Sequence, residues 1–239
     1  MADTRKNRDR KKIMRAMILA AGHGTRMRPL TDHTPKPLLQ VGGKPLIVWH
    51  IENLQRAGFK DIVINIAWLG DLIPEALGDG AEHGVSLHYS DEQQEGALET
   101  AGGILKALPL LGDDTFLVVN GDVWCDFPYS TENPLKNDTL AHLVLVNNPP
   151  QHPEGDFSLT ENIVADGGDN AFTFSGIGYY HSDLFKDLAP GKHPLAPLLR
   201  NAMTTQQVTG EHFDGDWQDI GTPERLDRLN QKLMKSALS

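Results

Sequence analysis

The run Ala16-Met17-Ile18-Leu19-Ala20-Ala21 leads directly into Gly22-His23-Gly24-Thr25-Arg26. Six consecutive apolar residues bounded by glycine predict a short strand buried on both faces, as in a parallel sheet. The glycines that follow predict a tight loop whose backbone N–H groups can face an anion. Such a loop at the carboxyl end of a buried strand is where open α/β sheets place their ligands.

Working outward, Pro29, Pro35 and Pro37 predict an extended, non-helical stretch over 27–39. Pro45 is expected at the first turn of a helix carrying Leu46, Ile47, Ile51 and Leu54 on one face, with Gly58 just past its end. Strands are predicted over 61–68, 85–90 and 115–120, and helices over 72–77 and 101–111. Strand and helix alternate four times, the pattern of an open parallel α/β sheet with right-handed crossovers. Beyond it, strands are expected over 140–146, 157–164 and 172–180, the last two joined by the turn-rich Asp166-Gly167-Gly168-Asp169-Asn170. A helix over 195–203 and strand-like stretches within 208–220 follow. Thr222 caps a last helix with Pro223 at its first position and Leu226, Leu229 and Leu233 facing inward.

Composition narrows the function. The 239 residues are 39% apolar and 23% charged, which excludes collagen-like, coiled-coil and wholly disordered chains. No apolar run approaches the ~20 residues of a membrane helix. The single cysteine, Cys125, excludes an intrachain disulfide and a four-thiolate zinc site, and fits a cytoplasmic setting. The ten histidines show no His-x-x-x-His spacing, and Ser175 is not in a Gly-x-Ser-x-Gly elbow. The net charge of −10 argues against nucleic acid as a partner. Residues 1–13 read as a disordered basic extension, with a nucleic-acid or acidic-lipid arm as its other reading. Residues 14–239 read as one domain, with a nucleotide-binding half over 14–125 and a second-substrate half over 126–239. No membrane partner is implied, and the oligomeric state stays open.

The candidate chemistry lies in Ala21, Gly22, Gly24, Thr25, Arg26 and Lys36, where the glycine turn meets two cations. Arg26 can grip phosphate oxygens bidentately, whereas Lys36 acts as a point charge. The loop is neither the dinucleotide fingerprint nor the Walker loop, which needs Gly-Lys-Ser/Thr. Asp122 and Asp219 fit a Mg²⁺ site, since that ion takes one or two carboxylates beside substrate phosphates and water. Asn120 and Asp156 are candidates for a substrate hydroxyl, amide or phosphate. Glu99, Gly102 and Gly103 are candidates where a ligand approaches the backbone closely, although helix-start packing explains Gly103 equally well.

Leu19 to Leu30, with Thr34-Pro35-Lys36-Pro37-Leu38, resembles the signature of the sugar-1-phosphate nucleotidyltransferases. Asn120-Gly121-Asp122 and Trp217-Gln218-Asp219-Ile220-Gly221-Thr222-Pro223 resemble that family's two metal-aspartate motifs. The likeness spans about residues 14–233. It implies a Rossmann-like three-layer α/β/α fold with a mixed, mostly parallel sheet, and a Mg²⁺-dependent transfer from a nucleoside triphosphate to a sugar 1-phosphate. It also implies that Arg26 and Lys36 are catalytic. The stretches Leu98-Glu99-Thr100-Ala101-Gly102-Gly103, Gly155-Asp156-Phe157 and Ser175-Gly176-Ile177-Gly178 look closest to a branch that recycles cell-wall sugars. That branch favours UTP and N-acetylmuramic acid 1-phosphate and adds Gly176 to the binding residues. Two departures stand out: residues 91–97 look slightly long, and Ala101 replaces a common third glycine. The alternatives are mannose or glucose 1-phosphate with GTP, UTP or dTTP, and a nucleotide-sugar sensor without turnover.

Overall fold

The computed structural model describes residues 14–168 and 170–236; the basic extension expected over 1–13 lies outside them. The strands in chain order are β1 (Ala16–Leu19), β2 (Gln40–Val41), β3 (Lys44–Pro45), β4 (Asp61–Ile66), β5 (Ser86–Asp91), β6 (Thr115–Asn120), β7 (Val123–Cys125), β8 (Ala141–Val146), β9 (Phe157–Thr160), β10 (Ile163–Asp166), β11 (Ala171–His181), β12 (Val208–Phe213) and β13 (Trp217–Asp219). The helices are α1 (Leu46–Arg56), α2 (Leu72–Leu77), α3 (Glu99–Leu111), α4 (Leu195–Met203) and α5 (Pro223–Ser236).

Nine strands form one sheet in the order β5-β4-β1-β6-β11-β8-β12-β10-β9. The first four are parallel to one another, as the strand-helix alternation predicts. Next to them β11 runs antiparallel between β6 and β8, and β12 lies parallel to β8. The sheet is therefore mixed, with its all-parallel block confined to the first half of the chain.

Pleating turns alternate residues to opposite faces. Ala16, Ile18, Ile62, Ile64, Leu117 and Val119 face α1, which contributes Ile47, Val48, Ile51 and Leu54. Met17, Val63, Phe116 and Val118 face the other way, toward α3 and α4. This is the three-layer arrangement, and both cores draw on both halves of the chain. Each such buried aliphatic side chain stabilises the fold by about 1.5–3 kcal/mol. A third cluster joins Leu226 and Leu229 of α5 to Met27, Leu39 and Val41, so the last helix braces the far end of the glycine loop.

Two local expectations are corrected. The proline-punctuated stretch 27–39 is not extended throughout: residues 25–27 and 36–38 form 3₁₀ turns, the second with Pro37 in its first turn, where a fixed φ suits helical geometry. Pro45 precedes α1 rather than opening it; its extended backbone also ends β3, and the helix starts at Leu46.

Candidate active site

The carboxyl ends of the four parallel strands surround a cavity of about 340 Å³. Each strand delivers a residue to it: Leu19 to Ala21 at the end of β1, Asn65 on β4, Glu92 just after β5, and Asn120 to Asp122 at the end of β6. Gly22, Gly24, Thr25, Arg26 and Lys36 complete one wall, and Glu99 and Thr100 at the start of α3 form another.

The loop shape follows from Gly24. Its φ of +61° is left-handed, and a Cβ there would lie 2.9 Å from Thr31 Cγ2. Buried Thr31 donates from Oγ1 to Gly24 O at 2.8 Å, and Met27 N–H donates to the same carbonyl at 2.8 Å. The loop is thus fixed from beneath while Arg26 stays exposed and without an ion pair among the described residues. His23, between the two glycines, stacks on Trp68 with ring centroids 5.9 Å apart.

Lys36 is buried, and its ammonium donates to Asp122 Oδ2 at 2.9 Å. Asp122 and Asp219 are brought side by side by backbone pairing. β7 and β13 form a two-stranded ribbon with Val123 opposite Asp219, and Ile220 N–H donates to Asp122 O at 2.9 Å. Asp219 does not itself line the cavity. Its Oδ2 accepts from Arg225 in the first turn of α5, while Oδ1 packs over Gly221, which does line it. Among the described residues no group of three or more His, Cys, Asp or Glu forms a metal cage. Two hard carboxylates suit Mg²⁺, which keeps positions for phosphate oxygens and water.

The other expected binding residues divide. Asn120 lines the cavity, and Gly176 lies behind it: β11 bulges between Phe174 and Ile177, and at φ +81° a Cβ on Gly176 would come 2.6 Å from Asn120 Nδ2. Gly102 and Gly103 are outside the cavity wall. A Cβ on Gly102 would meet Gly191 O at 2.2 Å, and one on Gly103 would meet Glu92 Oε1 at 2.7 Å. Asp156 is also absent from the cavity lining; its carboxylate accepts from Phe174 N–H at 2.8 Å and meets His152 Nε2 at 3.1 Å.

Sequence reading missed Asn65, Glu92, Thr100 and Gly221, which all line the cavity. Asn65 carried a signal, a polar residue inside the apolar strand β4. Glu92 carried none, being one of several acids between the expected strand 85–90 and helix 101–111, yet it is fully buried. Its Oε1 accepts from Asn65 Nδ2 at 2.7 Å and its Oε2 from Leu98 N–H at 2.9 Å. Behind Asp122, burial of His50 lowers its pKa to about 4, so its imidazole is neutral at physiological pH.

A glycine loop, Arg26, Lys36 and Asp122 thus meet at the carboxyl ends of the parallel strands, with Asp219 set beside them on the β7–β13 ribbon. The chain belongs to the nucleotidyl transferase family, whose description matches residues 15–162, and is an enzyme of that class. It is 53% identical over 221 residues to the N-acetylmuramate alpha-1-phosphate uridylyltransferase of Neisseria meningitidis serogroup B, covering 89% of this chain and 95% of that one. The protein of the same name from Caulobacter vibrioides is 32% identical, covering 87% and 92%. Among solved structures, a Bacillus anthracis chain provisionally described as a glucose-1-phosphate thymidylyltransferase, crystallised with sucrose, superposes with a TM-score of 0.78 at 25% identity, covering 92% of this chain and 95% of that one. No helix among the described residues is long and apolar enough to cross a membrane.

Proposed function

We propose that the protein transfers a uridylyl group from UTP to N-acetylmuramic acid α-1-phosphate, forming UDP-N-acetylmuramic acid and pyrophosphate, in the recycling of cell-wall sugars. The observation that carries the reading is the juxtaposition of Arg26, Lys36 and Asp122 around one cavity, in a chain 53% identical to a uridylyltransferase of that name.

A phosphate oxygen of the sugar 1-phosphate attacks the α-phosphorus in line, the bond to the β-phosphate oxygen breaks, and pyrophosphate leaves. The phosphate monoester is mostly a dianion at neutral pH, its second pKa being near ~6, so no general base is needed. The obstacle is the meeting of two anions, which calls for oriented amides and cations. Gly22, Gly24 and Thr25 present backbone to the β- and γ-phosphates and Arg26 grips the leaving pyrophosphate. Lys36 neutralises charge at the α-phosphate. Asn120 meets the sugar phosphate, with Gly176 keeping its amide in place. Glu99 and the residues around Gly102 and Gly103 border the base, and Asp156 faces the sugar-side half of the chain. In this division 14–125 serve the nucleotide and 126–239 the sugar phosphate. Asp122 and Asp219 would hold Mg²⁺, which when bound supplies charge neutralisation between the reacting phosphates.

Pyrophosphate release with Mg²⁺ tests the reading, across UTP, dTTP, GTP and CTP against muramic, glucosamine, glucose and mannose 1-phosphates. A dominant signal for UTP with the muramic sugar is expected. A dominant signal for another pair replaces the substrates, and silence in every pair refutes the reaction. Recovery of native protein in the cytoplasmic fraction is expected as well.

A further inference from the structure

Both carboxylates assigned to the metal already carry a cation of the protein itself, but the two cations are held differently. Arg225 reaches Asp219 Oδ2 from α5 and is not part of the cavity wall. Its Nη1 lies 3.0 Å from the position a Cβ would take on Gly221, and Asp219 Oδ1 lies 2.9 Å from the same point. Arg225 can therefore stay in place while Oδ1 turns to a ligand. Lys36 comes from the cavity side. Its side chain is 10% exposed and donates to Asp122 Oδ2 at 2.9 Å. A divalent ion on that carboxylate and an ammonium group on the same oxygen repel each other. The two therefore compete for Asp122, and the phosphates of a nucleotide bound as proposed above would give the ammonium another partner.

We propose that Lys36 is an exchangeable counter-ion of Asp122. It occupies the carboxylate until a divalent cation enters, and that exchange frees its ammonium for phosphate. This rests on the reading of Asp122 as a metal ligand. Metal and nucleotide then bind with positive coupling, each raising the affinity for the other.

The test is Mn²⁺ binding to the metal-free full chain without nucleotide, read from the electron paramagnetic resonance signal of free Mn²⁺ at fixed ionic strength. Lys36→Met removes the competitor and should tighten binding about tenfold, within the usual range of coupling between sites. Arg26→Met lowers the cavity charge without releasing Asp122 and should change binding less than about threefold, the scale of a screened, exposed charge. Equal binding by wild type and Lys36→Met overturns the exchange, as does a gain in Arg26→Met that matches it. Loss of binding in Asp122→Asn with no gain in Lys36→Met overturns the exchange alone. Unchanged binding in Asp122→Asn overturns the metal-ligand reading beneath it. Circular dichroism establishes folding, and if Lys36→Met does not fold, Lys36→Gln decides by the same comparison.

Discussion

Asn65 and Glu92 share a buried hydrogen bond of 2.7 Å that ties the end of one parallel strand to the loop after its neighbour. Asn65 Oδ1 accepts the Ala20 N–H at 2.8 Å, so one amide spans three chain segments at the cavity wall. Asn65→Ala leaves a buried carboxylate oxygen and a backbone N–H without partners. A loss of about 2–6 kcal/mol is expected from urea unfolding, since each of the two stranded groups costs about 1–3 kcal/mol. A loss below about 0.5 kcal/mol, the size of an ordinary surface change, would show that water replaces the network.

Lys36→Met should lower kcat by about 10²–10³, the scale of losing one preorganised charge-stabilising donor. Steady-state kinetics on protein shown folded by circular dichroism checks it. Turnover near wild type would remove Lys36 from the chemistry.

Arg225 touches Asp219 rather than the cavity, so its effect should appear in the metal requirement. Arg225→Met should raise the Mg²⁺ concentration for half-maximal activity or lower kcat by about 10–100-fold, as for other groups that orient a metal ligand. Arg225→Lys should recover part of the loss. An unchanged Mg²⁺ titration with unchanged kcat would refute the positioning role.

The parallel strands were legible because burial on both faces leaves continuous apolar runs; β6 ends in polar Asn120, and β1 runs on into Ala20, Ala21 and Gly22, all of which line the cavity. The insertion of β11 between β6 and β8 was not legible: an apolar run states that a strand is buried, not which neighbour it pairs with. The placement of Gly102 and Gly103 depended on contacts with Gly191 and Glu92, which no local pattern encodes. Asn65 could have been singled out by its polarity within β4, whereas Glu92 required the fold.

Gly176→Ala drives a Cβ to 2.6 Å from Asn120 Nδ2 at a left-handed φ. The change should cost about 1–3 kcal/mol in stability through strain and overpacking. If Asn120 meets the sugar phosphate, KM for that substrate should also rise more than KM for the nucleotide. Equal KM shifts would place Asn120 elsewhere.

Burial pushes the Cys125 thiol up to about 12. At pH 8 the folded protein should react with a disulfide reagent only as fast as it opens, far slower than the unfolded chain. The folded state retains its proton where the unfolded state loses one, so the thiol favours unfolding as pH rises from about 8.5. Its contribution is fully present below that pH and is lost toward 12. Rapid labelling at pH 8 under native conditions would contradict the burial.

The ribbon of β7 with β13 joins residues 123–125 to residues 217–219. During synthesis the parallel strands and the glycine loop emerge well before the partner that carries Asp219. The growing chain thus carries the loop before it carries either Asp219 or the α5 residues Leu226 and Leu229 that pack against Met27 behind that loop. A chain stopped ahead of Trp217 would retain the loop, Lys36 and Asp122 but lack the second acid. The pairing that sets Asp219 beside Asp122 is among the last features this polypeptide acquires, made only when β13 docks on β7.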